Sequence, residues 1–141
     1  MKRYLAVAIL SLSSLLPLTA TAKAEKMLPY SYQAVWSTMI RLIRVDRGYP
    51  ISDKDKDNGY VLFVFPGSGS VKKCPAALEL FQTKDPTGRD MIRVKLRIAH
   101  QPSYIELHFL DALERKLRQE RGTPHPPKEP KPTPEPPTKD N

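Results

Sequence analysis

The sequence predicts an α+β domain of two layers: an antiparallel sheet of about four strands with two helices packed on one face. Three observations predict it. Apolar residues recur at helical spacing at both ends of the central region, four β-type runs lie between them, and turn-forming clusters separate those runs.

Both ends of the 141-residue chain are expected to stand apart from that domain. Lys2 and Arg3 precede an apolar run over residues 4–18, and the small-residue stretch T-A-T-A-K-A follows. That order marks a secretory signal peptide, cleaved after Ala22 or Ala24, so residues 1–24 are assigned to a leader. The run is short of the roughly 20 apolar residues a span needs, and Ser11, Ser13, Ser14 and Pro17 interrupt it. No integral membrane span is therefore expected after cleavage, and the mature protein is expected to be exported, periplasmic or secreted. No cysteine ends the apolar run, which argues against a lipid-anchored form.

Residues 123–141 carry eight of the fifteen prolines and no large apolar side chain. Such a segment has too little to bury to offset chain entropy, which predicts a disordered Pro-rich tail. Residues 25–122 remain for one small domain. Losing Lys2, Arg3 and Lys23 with the leader lowers the formal charge from +8 to +5, an ordinary value for a soluble domain.

Residues 31–47 hold the first helix, with Trp36, Met39, Ile40 and Ile43 on one stripe, Ser31 at its start and Gly48 at its stop. Residues 49–52 and 60–65 are the first two β-type runs; the second is apolar on both faces. P-G-S-G-S-V-K-K makes a turn, residues 76–82 form a third run, and K-D-P-T-G-R-D turns again. From 91 to 100 the alternation is strict, with Ile92, Val94, Leu96 and Ile98 on one side and Arg93, Lys95 and Arg97 on the other. That is a strand with one dry and one wet face. Ser103 and Glu106 match the S-x-x-E capping box that opens a helix, whose stripe is Phe109, Leu110, Leu113 and Leu117. Its basic C-terminal end, with Arg115, Lys116, Arg118 and Arg121, suits the helix dipole.

The stretch D-K-D-K-D-N-G (53–59) raises the question of a calcium loop. Counted from Asp53, position 6 is Asn58 where the loop needs glycine, and position 12 is Val64 where it needs a bidentate glutamate. Lys54 and Lys56 weaken the negative field. Asn58-Gly59 between two β-type runs instead predicts a hairpin turn. No metal or cofactor site is expected.

Nor do the residues point to catalysis. H-E-x-x-H, G-x-S-x-G and a phosphate-binding glycine loop are absent, and Cys74, the one cysteine, has no histidine at motif spacing. A small buried apolar role fits Cys74, and a single cysteine allows no internal disulfide. The one candidate binding patch is Arg93, Lys95 and Arg97, which would take an anionic envelope component such as acidic lipid headgroups or wall polymers. Solvated cations on an open sheet face are the plainer reading. Nucleic acid is not an expected partner of an exported protein.

The stretch V-W-S-T-M-I-R-L-I-R-V-D-R-G-Y-P-I-S-D-K-D-K-D-N-G-Y-V-L-F (35–63) resembles the helix-grip domains of BamC, the lipoprotein of the outer-membrane β-barrel assembly machine. The shared pattern is a helix with an aromatic, then G-Y-x-I, an acidic turn with glycine, and a strand. The resemblance implies a helix-grip-like fold and carries over no catalytic residue. The sequence thus predicts a non-enzymatic cell-envelope protein that binds another envelope component, serving interaction or assembly. The alternative is a carrier of a small apolar ligand or lipid, held in a pocket between helix and sheet.

Overall fold

The computed structural model describes residues 24–67, 70 and 72–124. Of the leader expected at 1–24, residues 1–23 lie outside the described residues, while Ala24 opens the first strand; of the tail expected at 123–141, residues 125–141 lie outside them. Strand β1 spans Ala24–Leu28 and helix α1 Tyr32–Arg41, which continues as a π-helical turn, Leu42–Asp46. Strands β2 (Ile51–Asp55), β3 (Tyr60–Phe65), β4 (Cys74–Lys84) and β5 (Asp90–Ile98) follow, and helix α2 (Ser103–Arg121) closes the order.

The sheet is antiparallel throughout, in the order β1-β5-β4-β3-β2. It has five strands where the sequence predicts about four. The additional one, β1, reads A-E-K-M-L, and Ala, Glu and Lys are poor strand formers. Tertiary pairing overrides that preference: Ala24 lies opposite Leu96 and Leu28 opposite Ile92, and both ends of β1 are buried.

The inward residues of β5 are the expected Ile92, Val94, Leu96 and Ile98, all buried. They join Val61 and Phe63 of β3, Ala76, Leu78 and Leu80 of β4, and the buried sides of both helices in one cluster. Val35, Met39 and Ile43 from the first helical segment and Leu113 and Leu117 from α2 are fully excluded from solvent. Phe63 stacks on Phe109 with ring centroids 5.8 Å apart, tying the middle of the sheet to α2. Both helices thus cover one face, and no described element covers the other.

The N-terminus of α1 is capped as the sequence suggests, Ser31 Oγ accepting the Ala34 N–H at 3.3 Å. The capping box expected at Ser103 does not form. Pro102 occupies the cap position, so Ser103 is already helical, and Glu106 instead accepts the Ile98 N–H at 2.7 Å.

Of residues 53–59, the first three belong to β2 and residues 56–59 make the bend to β3, though not by a two-residue Asn-Gly turn. Asp55 faces Tyr60, which leaves a four-residue connection, and only Gly59 within it has positive φ, at 73°. Asp55 organises the bend by accepting the N–H groups of Asp57 and Asn58, both at 2.9 Å, and Asn58 Nδ2 at 2.7 Å. These bonds hold its carboxyl below its ordinary pKa, the Asn58 amide being the largest cause. Asp53 accepts the Tyr60 hydroxyl at 3.0 Å. A register shift between Ile51 and Asp53 bulges β2, and Asp53, Lys54 and Asp55 place charge on this outer strand. Both devices discourage further strand pairing there.

Candidate functional site on the open sheet face

Side chains alternate across a strand, so the residues between the core positions converge on the face opposite the helices. From β1 to β3, one row reads Met27, Arg93, Phe81; the next reads Glu25, Lys95, Glu79, Tyr60; the third begins at Arg97 and continues through Ala77 to Leu62. The expected patch Arg93, Lys95 and Arg97 does lie on one strand and one face. Its surroundings are not purely basic, because the register sets Lys95 between Glu25 and Glu79.

Three large apolar side chains stand in this face: Met27 is 40 % exposed, and Leu62 and Phe81 are 38 % exposed each. Phe81 carries two cations, the Arg93 guanidinium carbon 5.7 Å and Lys95 Nζ 4.8 Å from its ring centroid. Such contacts contribute about 0.5–1 kcal/mol at exposed sites and hold both cations against the ring. Arg93 Nε is buried and has no hydrogen-bond partner. Phe81 escaped the sequence reading because its neighbours are set by register, and nothing local announces it.

Beyond the third row, where β3 ends and β4 begins, the face deepens into a cavity of about 1080 Å³. Leu62, Val64, Pro75 and Ala77 line it on the open-face side with Lys73 and Arg97, and Ser52, His100, Gln101, Ser103 and Glu106 add polar groups. Cys74 is buried at the same end of the sheet, and its Sγ accepts Gln101 Nε2 at 3.9 Å. Among the described residues no cluster of three or more His, Cys, Asp or Glu side chains is placed to hold a metal ion.

The opposite layer is tied down by charge. Lys26 of β1 pairs with Asp111, at 2.5 Å, and with Glu114 of α2. Burial disfavours the Lys26 ammonium, yet these two acceptors hold its pKa above the usual lysine value. Lys116 bridges Asp46 at 2.5 Å and Glu120 at 3.2 Å, and Thr38 donates to Glu120 at 2.7 Å. These contacts lock α2 to β1 and to the first helical segment, so the helical layer is a support for the open face.

Among the described residues no helix is long and apolar enough to cross a membrane. No family model matches the chain, and no curated protein is significantly similar to it.

Proposed function

We propose that this is a non-enzymatic module of an exported cell-envelope protein, and that its open sheet face docks a partner protein of the envelope. The observation that carries the reading is the presence of exposed Met27, cation-flanked Phe81 and exposed Leu62 on one sheet face that no described element covers. Aromatic and arginine side chains grouped at the centre of a surface are the usual anchors of protein interfaces. The partner that fits presents an apolar centre with acidic groups towards Arg93 and Arg97. The resemblance of residues 35–63 to the BamC helix-grip domains supports a place in envelope assembly.

A carrier with its pocket between helices and sheet has less support, since Val35, Met39, Ile43, Leu113 and Leu117 fill that seam. The test is site-specific photocrosslinking in intact envelopes from Leu62 and Phe81, with Arg115 of α2 as the control position. One discrete protein adduct from the face positions, absent from position 115 and lost on Arg93→Glu, is expected. Identical adduct patterns from all three positions would refute the docking face.

A further inference from the structure

The cavity at the end of the open face has a chemistry of its own. Part of its lining is apolar: the small Pro75 and Ala77 of β4 lie beside Leu62 and Val64 of β3. The wider face owes its depth here to those two small residues, since Glu79 and Phe81 occupy the corresponding positions further along β4. Two cations line the same space, Lys73 and Arg97, and neither makes an ion pair with any described residue. The one carboxylate among the lining residues is Glu106, which is buried and already accepts the Ile98 N–H. An apolar surface with unpaired cations beside it complements a ligand that is apolar along its length and anionic at its end.

We propose that this cavity binds a single-chain amphiphile with an anionic head, a fatty carboxylate, whose chain lies on Leu62, Val64, Pro75 and Ala77 and whose carboxylate pairs with Arg97 and Lys73. The cavity shares Leu62 and Arg97 with the proposed docking face, but calorimetry with a free carboxylate reads it in the absence of any partner protein, so failure of one leaves the other standing. At about 1080 Å³ the space is at the upper end of ordinary small-molecule sites, which run to roughly 1,000 Å³.

Calorimetric titration tests it, using the chain without residues 1–22, which keeps every described element. The probes are octanoate, decanoate, dodecanoate and the uncharged decanol. Saturable one-to-one binding of the carboxylates is expected, tightening about fourfold for each methylene that enters the cavity. Decanol should bind about tenfold or more weakly than decanoate, the loss expected for a charge-assisted contact. The double change Arg97→Gln with Lys73→Gln should weaken decanoate by a similar factor. Arg97→Lys, which keeps the charge, should retain most of the affinity and so separates head-group recognition from any general effect on the fold. Ala77→Phe, which fills the apolar part of the lining, should abolish binding at an unchanged melting temperature. Equal affinity for decanol and decanoate, or full binding by Ala77→Phe, would overturn the proposal. So would binding that emerges only after residues 125–141 are removed, because the cavity would then be the seat of the chain's own tail.

Discussion

The Glu106 carboxylate accepts the Ile98 N–H at 2.7 Å, so the first turn of α2 completes a hydrogen bond at the end of β5. Among the described residues β1 begins opposite Leu96, two positions short of Ile98. One buried side chain thus joins the last strand to the last helix.

Replacing Glu106 with alanine removes the acceptor and leaves a buried amide unpaired. The expected cost is about 1–3 kcal/mol, read from urea unfolding. Glu106→Gln keeps an acceptor oxygen and should recover most of the loss. Equal stability of the alanine variant and the parent would show that water satisfies Ile98.

Gly59 sits at φ 73°, and a Cβ built there would lie 2.7 Å from the Leu80 carbonyl oxygen and 3.2 Å from the Tyr32 hydroxyl. The same carbonyl stretch is fixed, because Leu80 N–H donates to Gly59 O at 2.8 Å. Tyr32 is fixed too, donating to Lys56 O at 2.5 Å. Gly59→Val therefore meets both an unfavourable backbone conformation and a backbone clash, and β-branching worsens the first. A loss of about 2 kcal/mol or more is expected, with the melting temperature as the measure. A loss below about 0.5 kcal/mol, the range of ordinary surface changes, would refute the tight approach of the hairpin to β4.

How much of this was legible in the sequence depends on how local each cause is. The dry side of β5 was legible because Ile92, Val94, Leu96 and Ile98 repeat with the period of a strand. The helix stripes were legible for the same reason. Strand β1 was not, since A-E-K-M-L has little strand preference and sits against a leader-like segment; only its pairing with β5 makes it a strand. That omission hid Glu25, and with it the acidic neighbour on one side of Lys95. Glu79 was visible as a residue, but which strand it faces depends on register. The cavity was the least legible feature, because Ala77 and Pro75 matter there through the side chains they lack. Glu106 was singled out correctly and given the wrong partner, since Pro102 moved the helix cap by one residue.

Leu113 is fully buried, between the helical layer and the sheet. Leu113→Ala should cost about 2–5 kcal/mol, since the surrounding core relaxes only in part around the lost methyl groups. A change of less than about 1 kcal/mol in chemical unfolding, with uptake of an apolar dye, would instead support a carrier pocket in this seam.

Acid should act on the β4–β5 turn. Asp85 accepts the Thr87 hydroxyl at 2.6 Å, the Thr87 and Arg89 N–H groups at 2.9 and 3.0 Å, and Arg89 Nε at 3.1 Å. The Thr87 hydroxyl first, and then the other donors, lower its pKa from 3.8 to about 2. A depressed carboxylate pKa contributes stability that is complete above the unfolded value and disappears as pH falls through the folded one. The melting-temperature difference between the parent and Asp85→Asn should therefore be constant near neutrality and shrink between about pH 4 and pH 2. A difference that is the same at pH 7 and pH 2 would exclude the charge as its origin.

The proposed export carries a prediction about the mature N-terminus, which β1 constrains. Two A-x-A sites are present, ending at Ala22 and at Ala24. Ala24 is 2 % exposed and pairs with Leu96, and two residues on Lys26 is bound to Asp111 and Glu114. Cleavage after Ala24 would remove the first residue of the strand and place a new ammonium group at Glu25, beside Lys95 in the pairing register. Cleavage after Ala22 keeps all of β1 as described and puts the new ammonium on Lys23. The expected mature protein thus begins K-A-E-K-M, as N-terminal sequencing of the exported form would show. A chain made to start at Glu25 should be less stable by about 1–2 kcal/mol, from one lost buried methyl and one weakened ladder contact. A mature N-terminus at Glu25 with no loss of stability would mean that Ala24 adds nothing to the sheet, and an intact Met1 would remove the leader altogether.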